Sequence, residues 1–144
     1  MPMQTFLPYA SFKRSARKLD NRRIINQINE ATIIFNNVVG LNIGWQNHPL
    51  VKMWIGHEGC LIRYAEAILT EGLRRGFKIS QKTIDKISGL HQFAGKDSYN
   101  YPKWFGDSRV HFSHRSALLR KNKNFYNGRF GNFTADTLEM FYPV

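Results

Sequence analysis

Glu30 is the residue whose type and surroundings most readily allow chemistry. It sits in the stretch LDNRRIINQINEATIIF, residues 19–35. At helical period, Arg23, Asn26, Gln27, Glu30 and Asn37 gather on one side, away from a stripe of Ile24, Ile28, Ala31, Phe35 and Val38. One carboxylate is thus set among amides and arginine, and Arg14, Arg17, Lys18, Arg22 and Arg23 crowd its approach. Such a cluster of cations suits phosphates. A carboxylate inside a phosphate-binding face repels the backbone beside it, so it needs a task there. Proton transfer is one, and stabilisation of a cationic sugar is another. The alternative is a solvated helix face with an ordinary Arg23–Glu30 ion pair at i, i+7.

Other residues invite weaker readings. Glu58 projects close to Trp54 and Leu61 on the apolar side of a second helix, where a carboxylate must be paired, protonated or facing a groove. Either it pairs with an arginine such as Arg63 or Arg115, or it joins His57 as a further acid–base element. His111 and His114 stand at i, i+3, a spacing that could ligate metal. With no cysteine partner and no third ligand nearby, core or phosphate-contacting roles are favoured and no metal is expected. Arg115, Arg120 and Lys121 project from the same helix and are predicted to track a nucleic-acid backbone. Trp45 and Trp54 read as core residues, whereas Trp104, in the loop YPKWFGD, is predicted to contact nucleic acid in a groove. The nucleotide, zinc-protease and serine-hydrolase signatures GxGxxG, P-loop, HExxH and GxSxG do not occur, and no cofactor is expected.

Composition agrees with a polyanionic partner. The 144 residues carry 21 Lys and Arg against 10 Asp and Glu, a formal charge of +11. Nucleic acid is the first partner this suggests and an anionic membrane surface the second. The one cysteine, Cys60, excludes an intramolecular disulfide and a cysteine-based zinc site. No apolar run approaches the roughly 18 residues that span a bilayer, and no signal-peptide pattern is seen, so a cytoplasmic monomer is expected.

The elements that must position these residues are helices. One domain over 1–144 is predicted, all-α, with an extended N-terminus because Pro2 and Pro8 disfavour helix before them. A first helix starts between residues 11 and 20 and runs to about 39, with Gly40 as its stop. A second covers 49–75, with Asn47 as cap and Gly76 just past its end. A short helix is predicted over 80–90, a loop over 89–104, and a last helix capped by Asp107 and running through Arg120. The tail is aromatic and irregular.

Four segments, in this order and spacing, resemble the pyrimidine-dimer DNA glycosylases, the phage endonuclease V family. They are LDNRRIINQINEA, WQNHPLVKMWIGHE, AILTEGLRRGFKI and GDSRVHFSHRSALLRK, and the resemblance spans about residues 3–130. It implies a compact all-α fold with a DNA-binding groove. It also implies release of the base at a cyclobutane pyrimidine dimer in duplex DNA, then β-elimination at the abasic site. Glu30 then stabilises the developing oxocarbenium and shuttles protons, Arg22 and Arg23 hold phosphates, and His48 assists the elimination. The family arginine before the glutamate is replaced by Asn29. The N-terminal threonine amine that serves as nucleophile in well-known members is missing, and a Pro2 amine, exposed by methionine removal, is the candidate in its place. Phe125, Tyr126, Phe130 and Phe133 loosely represent the aromatic cluster that packs on damaged bases. A non-catalytic DNA-binding module, or a glycosylase for another modified base, remains an alternative.

Overall fold

A short helix followed by a long one carries the predicted chemistry. α1 spans Phe12–Lys18 and α2 spans Asn21–Val38. The break falls at Leu19 and Asp20, both extended and both buried. Asp20 precedes α2 as a cap residue should, but its carboxylate is turned away: Tyr126 Oη donates to Oδ1 at 2.5 Å and accepts the Asp20 N–H at 2.9 Å. The first turn of α2 is left without a side-chain cap. The computed structural model describes residues 3–143, and among them there is helix and loop but no strand, as the all-α reading expected.

The predicted second helix is two. α3 spans Pro49–Trp54 and α4 spans Glu58–Arg74, separated at Gly56, whose φ of +84° is the left-handed conformation that glycine adopts freely. The cap of α3 is His48, whose Nδ1 accepts the Leu50 N–H at 3.1 Å, and not Asn47. α5 (Gln81–Gly89), two single 3-10 turns, α6 (Ser108–Lys121) and α7 (Lys123–Tyr126) complete the chain. Asp107 caps α6 as expected, accepting the Arg109 N–H at 2.9 Å.

α2 packs most extensively on α4, and α1 lies against α4 as well. Ile24, Ala31 and Phe35 from α2 meet Leu61, Ala65, Ile68 and Leu69 from α4 in one core. Through this core runs an extended strap, residues 3–8, all of them buried. A buried extended segment outside any sheet must find other partners for its backbone groups. Here side chains provide them. Tyr64 Oη accepts the Phe6 N–H at 2.8 Å, and His114 Nδ1 accepts the Leu7 N–H at 2.8 Å. Leu7 O takes a hydrogen bond from His111 Nδ1 at 2.7 Å, and Pro8 O takes one from Arg115 Nε at 2.8 Å. The histidine pair is therefore a structural clamp on Leu7. Among the described residues no three His, Cys, Asp or Glu side chains gather so as to hold a metal ion, and no helix is long and apolar enough to cross a membrane.

Several predicted contacts change with this packing. Trp104 is buried at 7% exposure, its Nε1 donating to Met53 O at 2.9 Å and its ring edge-on to Trp54, so it cannot meet nucleic acid in a groove. Its loop folds back because the indole fills space beside α3. Trp45, predicted as core, is 42% exposed. Arg115 lies over Tyr9 and Phe112 as well as bonding Pro8, and Arg120 donates to Asp136 O and Leu138 O. Arg115 is thereby committed to holding chain segments in place, whereas Arg120 makes both bonds through one nitrogen and its side chain stays exposed. Tyr126 and Phe130 are buried and stacked on each other, which removes them from any base-contacting cluster.

Candidate active site

One polar cavity of about 200 Å³ brings together Glu30 and five of the residues predicted to bind DNA. Its walls are Gln4, Phe6, Arg22, Arg23, Asn26, Gln27, Glu30 and Lys121. The helical projection of α2 thus placed Arg23, Asn26, Gln27 and Glu30 correctly on one face, because a period of 3.6 needs no tertiary information. Gln4, Phe6 and Lys121 come from the strap and from the end of α6. Glu30 is the one carboxylate among the described residues of this wall, facing Arg22, Arg23 and Lys121.

The strap fixes the carboxylate. Gln27 Nε2 donates to Glu30 Oε2 at 2.9 Å and to Gln4 O at 2.8 Å, while the Gln4 N–H points to the same Oε2 at 3.4 Å. Tyr64 Oη, buried in the core, donates to Gln27 Oε1 at 2.6 Å and so locks the amide's orientation. Both hydrogen bonds to Glu30 fall on Oε2. Oε1 has no protein partner among the described residues and is free to meet a substrate.

Burial pushes the Glu30 carboxyl above the usual carboxylate range. The Gln4 N–H, the Gln27 amide and the charges of Lys121 and Arg23 pull it back down. Desolvation strengthens whatever charge–charge interaction the carboxylate makes inside the cavity. An expected outcome follows for Gln27→Leu. With that hydrogen bond lost, the Glu30 pKa rises further, and the acid limb of a pH–rate profile moves to higher pH. An unmoved limb would mean that a different group titrates.

Two polar atoms at the cavity lack partners. Arg23 Nε and Gln4 Oε1 are the buried side-chain atoms without a hydrogen bond among the described residues. Buried polar groups in folded proteins are nearly always paired, so an orphaned donor and an orphaned acceptor on one cavity wall are a feature to be explained by a ligand or water. Arg23 also faces Asp20 at 3.9 Å. The uncapped start of α2 lies beside Arg22 and Arg23, and a free helix N-terminus adds positive potential for an anion.

Gln4, Phe6 and Lys121 are shared with a second cavity of about 360 Å³ that also takes in Arg120, Met140 and Tyr142. The two cavities thus adjoin at the strap. Tyr142 Oη is hydrogen-bonded to the Gln4 side chain, and its ring meets His48 edge-on at 6.0 Å. His48 therefore reaches the site through Tyr142 and Gln4 and does not line the cavity. Arg14, stacked on Tyr9, and Arg17 also lie outside its wall. His57 and Glu58 stand apart as well: His57 Nδ1 bonds Asn100 O at 2.8 Å and Glu58 accepts from Gly95 N–H at 3.5 Å. The break at Gly56 makes Glu58 the first residue of a new helix, so its angle to Trp54 on a continuous helix has no meaning. Glu58 makes no ion pair among the described residues. Pro2 lies outside the described residues.

Gln4, Phe6, Tyr64 and Tyr142 were not singled out in the sequence as site residues. Nothing local marks them, since each acquires its place only when the strap, α4 and the tail meet α2.

Comparison with known proteins gives one match. A family model described as pyrimidine dimer DNA glycosylase covers residues 3–85, which includes the strap and α1 to α4 but neither Lys121 nor Tyr142. No curated protein and no solved structure matches the chain.

Proposed function

The chain belongs to the pyrimidine dimer DNA glycosylase family, and from that premise we propose that it releases the base at a pyrimidine dimer in duplex DNA and then cleaves the strand by β-elimination. The observation that carries the site assignment is Glu30, one desolvated carboxylate anchored through Oε2 and surrounded by three cations. Its charge has little to offer a phosphate and much to offer a sugar that becomes cationic as the glycosyl bond breaks. Arg22, Arg23 and Lys121 hold the flanking phosphates, and Asn26 supplies a neutral hydrogen-bonding group between them.

The nucleophile in this reading is an α-amine. It attacks C1′ of the damaged nucleotide as the bond to the base breaks, leaving an iminium on the opened sugar. Glu30 then accepts the C2′ proton and the 3′ phosphate departs. An α-amine has an ordinary pKa of about 7.7–8.0 and is substantially neutral near pH 7.5, whereas a lysine amine near 10.4 is not. Pro2 is assigned this role because the strap that follows it brings the Gln4 N–H to Glu30. His48 acts through Tyr142 and Gln4, positioning the strap.

Borohydride trapping tests the reading on duplexes carrying a dimer, an abasic site or no lesion. A covalent adduct is expected with the first two, mapping to the N-terminal peptide. An adduct on Lys121, the lysine of the cavity wall, would replace the terminal amine. Base release without any adduct would mean a water nucleophile activated by Glu30. No base release from dimer duplex would end the pyrimidine-dimer assignment.

A further inference from the structure

We propose that the loop over residues 40–47 is a wedge that enters the base stack of duplex DNA beside the cavity and holds the lesion open to Glu30; this rests on the function proposed above. The loop reads GLNIGWQN and carries no charge, in a chain with 21 basic and 10 acidic residues. A loop built to grip phosphates would be basic. This one presents Leu41, Ile43 and Trp45 at 58%, 75% and 42% exposure, at alternate positions, and none of the three joins the core.

Its base is held while its tips are free. Asn42 N–H donates to Asn36 O at 3.1 Å, and Trp45 N–H donates to Asn37 Oδ1 at 2.9 Å. Asn37 shares the helix face of Glu30 and lies seven residues on, which is about 10 Å along α2. At 3.4 Å per nucleotide that is roughly three base steps. Arg23 lies seven residues in the other direction. The carboxylate therefore stands between a cationic end suited to phosphates and an apolar end suited to bases. Trp45 is linked to the site by a relay of contacts outside the cavity wall: its ring meets His48, which meets Tyr142, which bonds Gln4.

The chemistry requires such an element. A stacked duplex does not offer its glycosyl bond to a cavity of about 200 Å³. Enzymes that act at a base must first open the stack, and apolar side chains inserted between base steps are what hold it open.

The test is the double variant Leu41→Ser with Ile43→Ser, compared with wild type on two substrates. One is a dimer in a fully paired duplex, and the other is the same dimer opposite mismatched bases, already opened. Because both side chains are exposed, the melting temperature should stay within about 2 °C. Single-turnover base release should fall about tenfold or more on the paired duplex and stay within about twofold of wild type on the opened one. 2-Aminopurine beside the dimer should brighten on binding wild type and not the variant. An equal loss on both substrates, or none on either, overturns the wedge. No kinetic loss, together with lost self-association in sedimentation, assigns the loop to a contact between copies and overturns it too. Should the wild type release no base at all, the proposed function fails, and the 2-aminopurine signal still decides the wedge: equal brightening with both proteins refutes it.

Discussion

Replacing Glu30 with Gln is expected to slow base release from dimer-containing duplex by about a hundredfold or more, while DNA affinity is unchanged or rises. The substitution is conservative where structure is concerned. Both protein hydrogen bonds to Glu30 fall on Oε2, so one amide oxygen can accept from Gln27 and from the Gln4 N–H as before. What disappears is the negative charge and the ability to take a proton. Stability should move the opposite way from activity. Burial raises the Glu30 pKa, so the folded state binds the proton more tightly than the unfolded chain. Ionisation therefore costs stability as pH rises from the unfolded value, near 4.5, through the folded one. The Glu30→Gln protein has no such cost and should melt at a slightly higher temperature at pH 7.5. Near-wild-type turnover in this variant would remove Glu30 from the mechanism.

The second large effect is acid loosening of the strap. His114 is buried and keeps Nδ1 unprotonated to accept the Leu7 N–H, and burial, with His111 beside it, lowers its pKa to about 3. His111 is lowered too, first by burial, and Arg115 adds to that through its charge while Asp107 and the bond to Leu7 oppose it. Between about 6.5 and 3 the unfolded chain holds a proton that folded His114 does not. Stability is therefore complete above the unfolded value and is lost as pH falls. The linkage amounts to about 2 kcal/mol by pH 5 and about 4–5 kcal/mol by pH 3 for His114 alone. Urea unfolding at pH 7, 6 and 5 measures it. His114→Gln, which keeps an acceptor without a titrating proton, should flatten the dependence over this range. An identical slope in both proteins would place the acid sensitivity elsewhere.

The sequence by itself determined the helical class, the buried stripes and one functional face. Ile24, Ala31 and Phe35 face the core, and Arg23, Asn26, Gln27 and Glu30 share the cavity wall. These follow from the 3.6-residue period along a single helix, which is a local property. The charge of +11 likewise pointed to a polyanion without any fold. Tertiary structure decided the rest. An extended segment has no periodicity to betray its partners, so nothing local announced that residues 3–8 thread the core or that Gln4 meets Glu30. The helix break at Gly56 could not be read from an apolar pattern that continues on both sides, and with it Glu58 lost its predicted place. Trp104 and Trp45 exchanged environments because burial of a loop tryptophan depends on the space left between helices, here beside Met53 and Trp54. Lys121 and Tyr142 reach the site from distant parts of the chain. Sequence period fixes which way a side chain leaves its own helix; only packing decides what waits there.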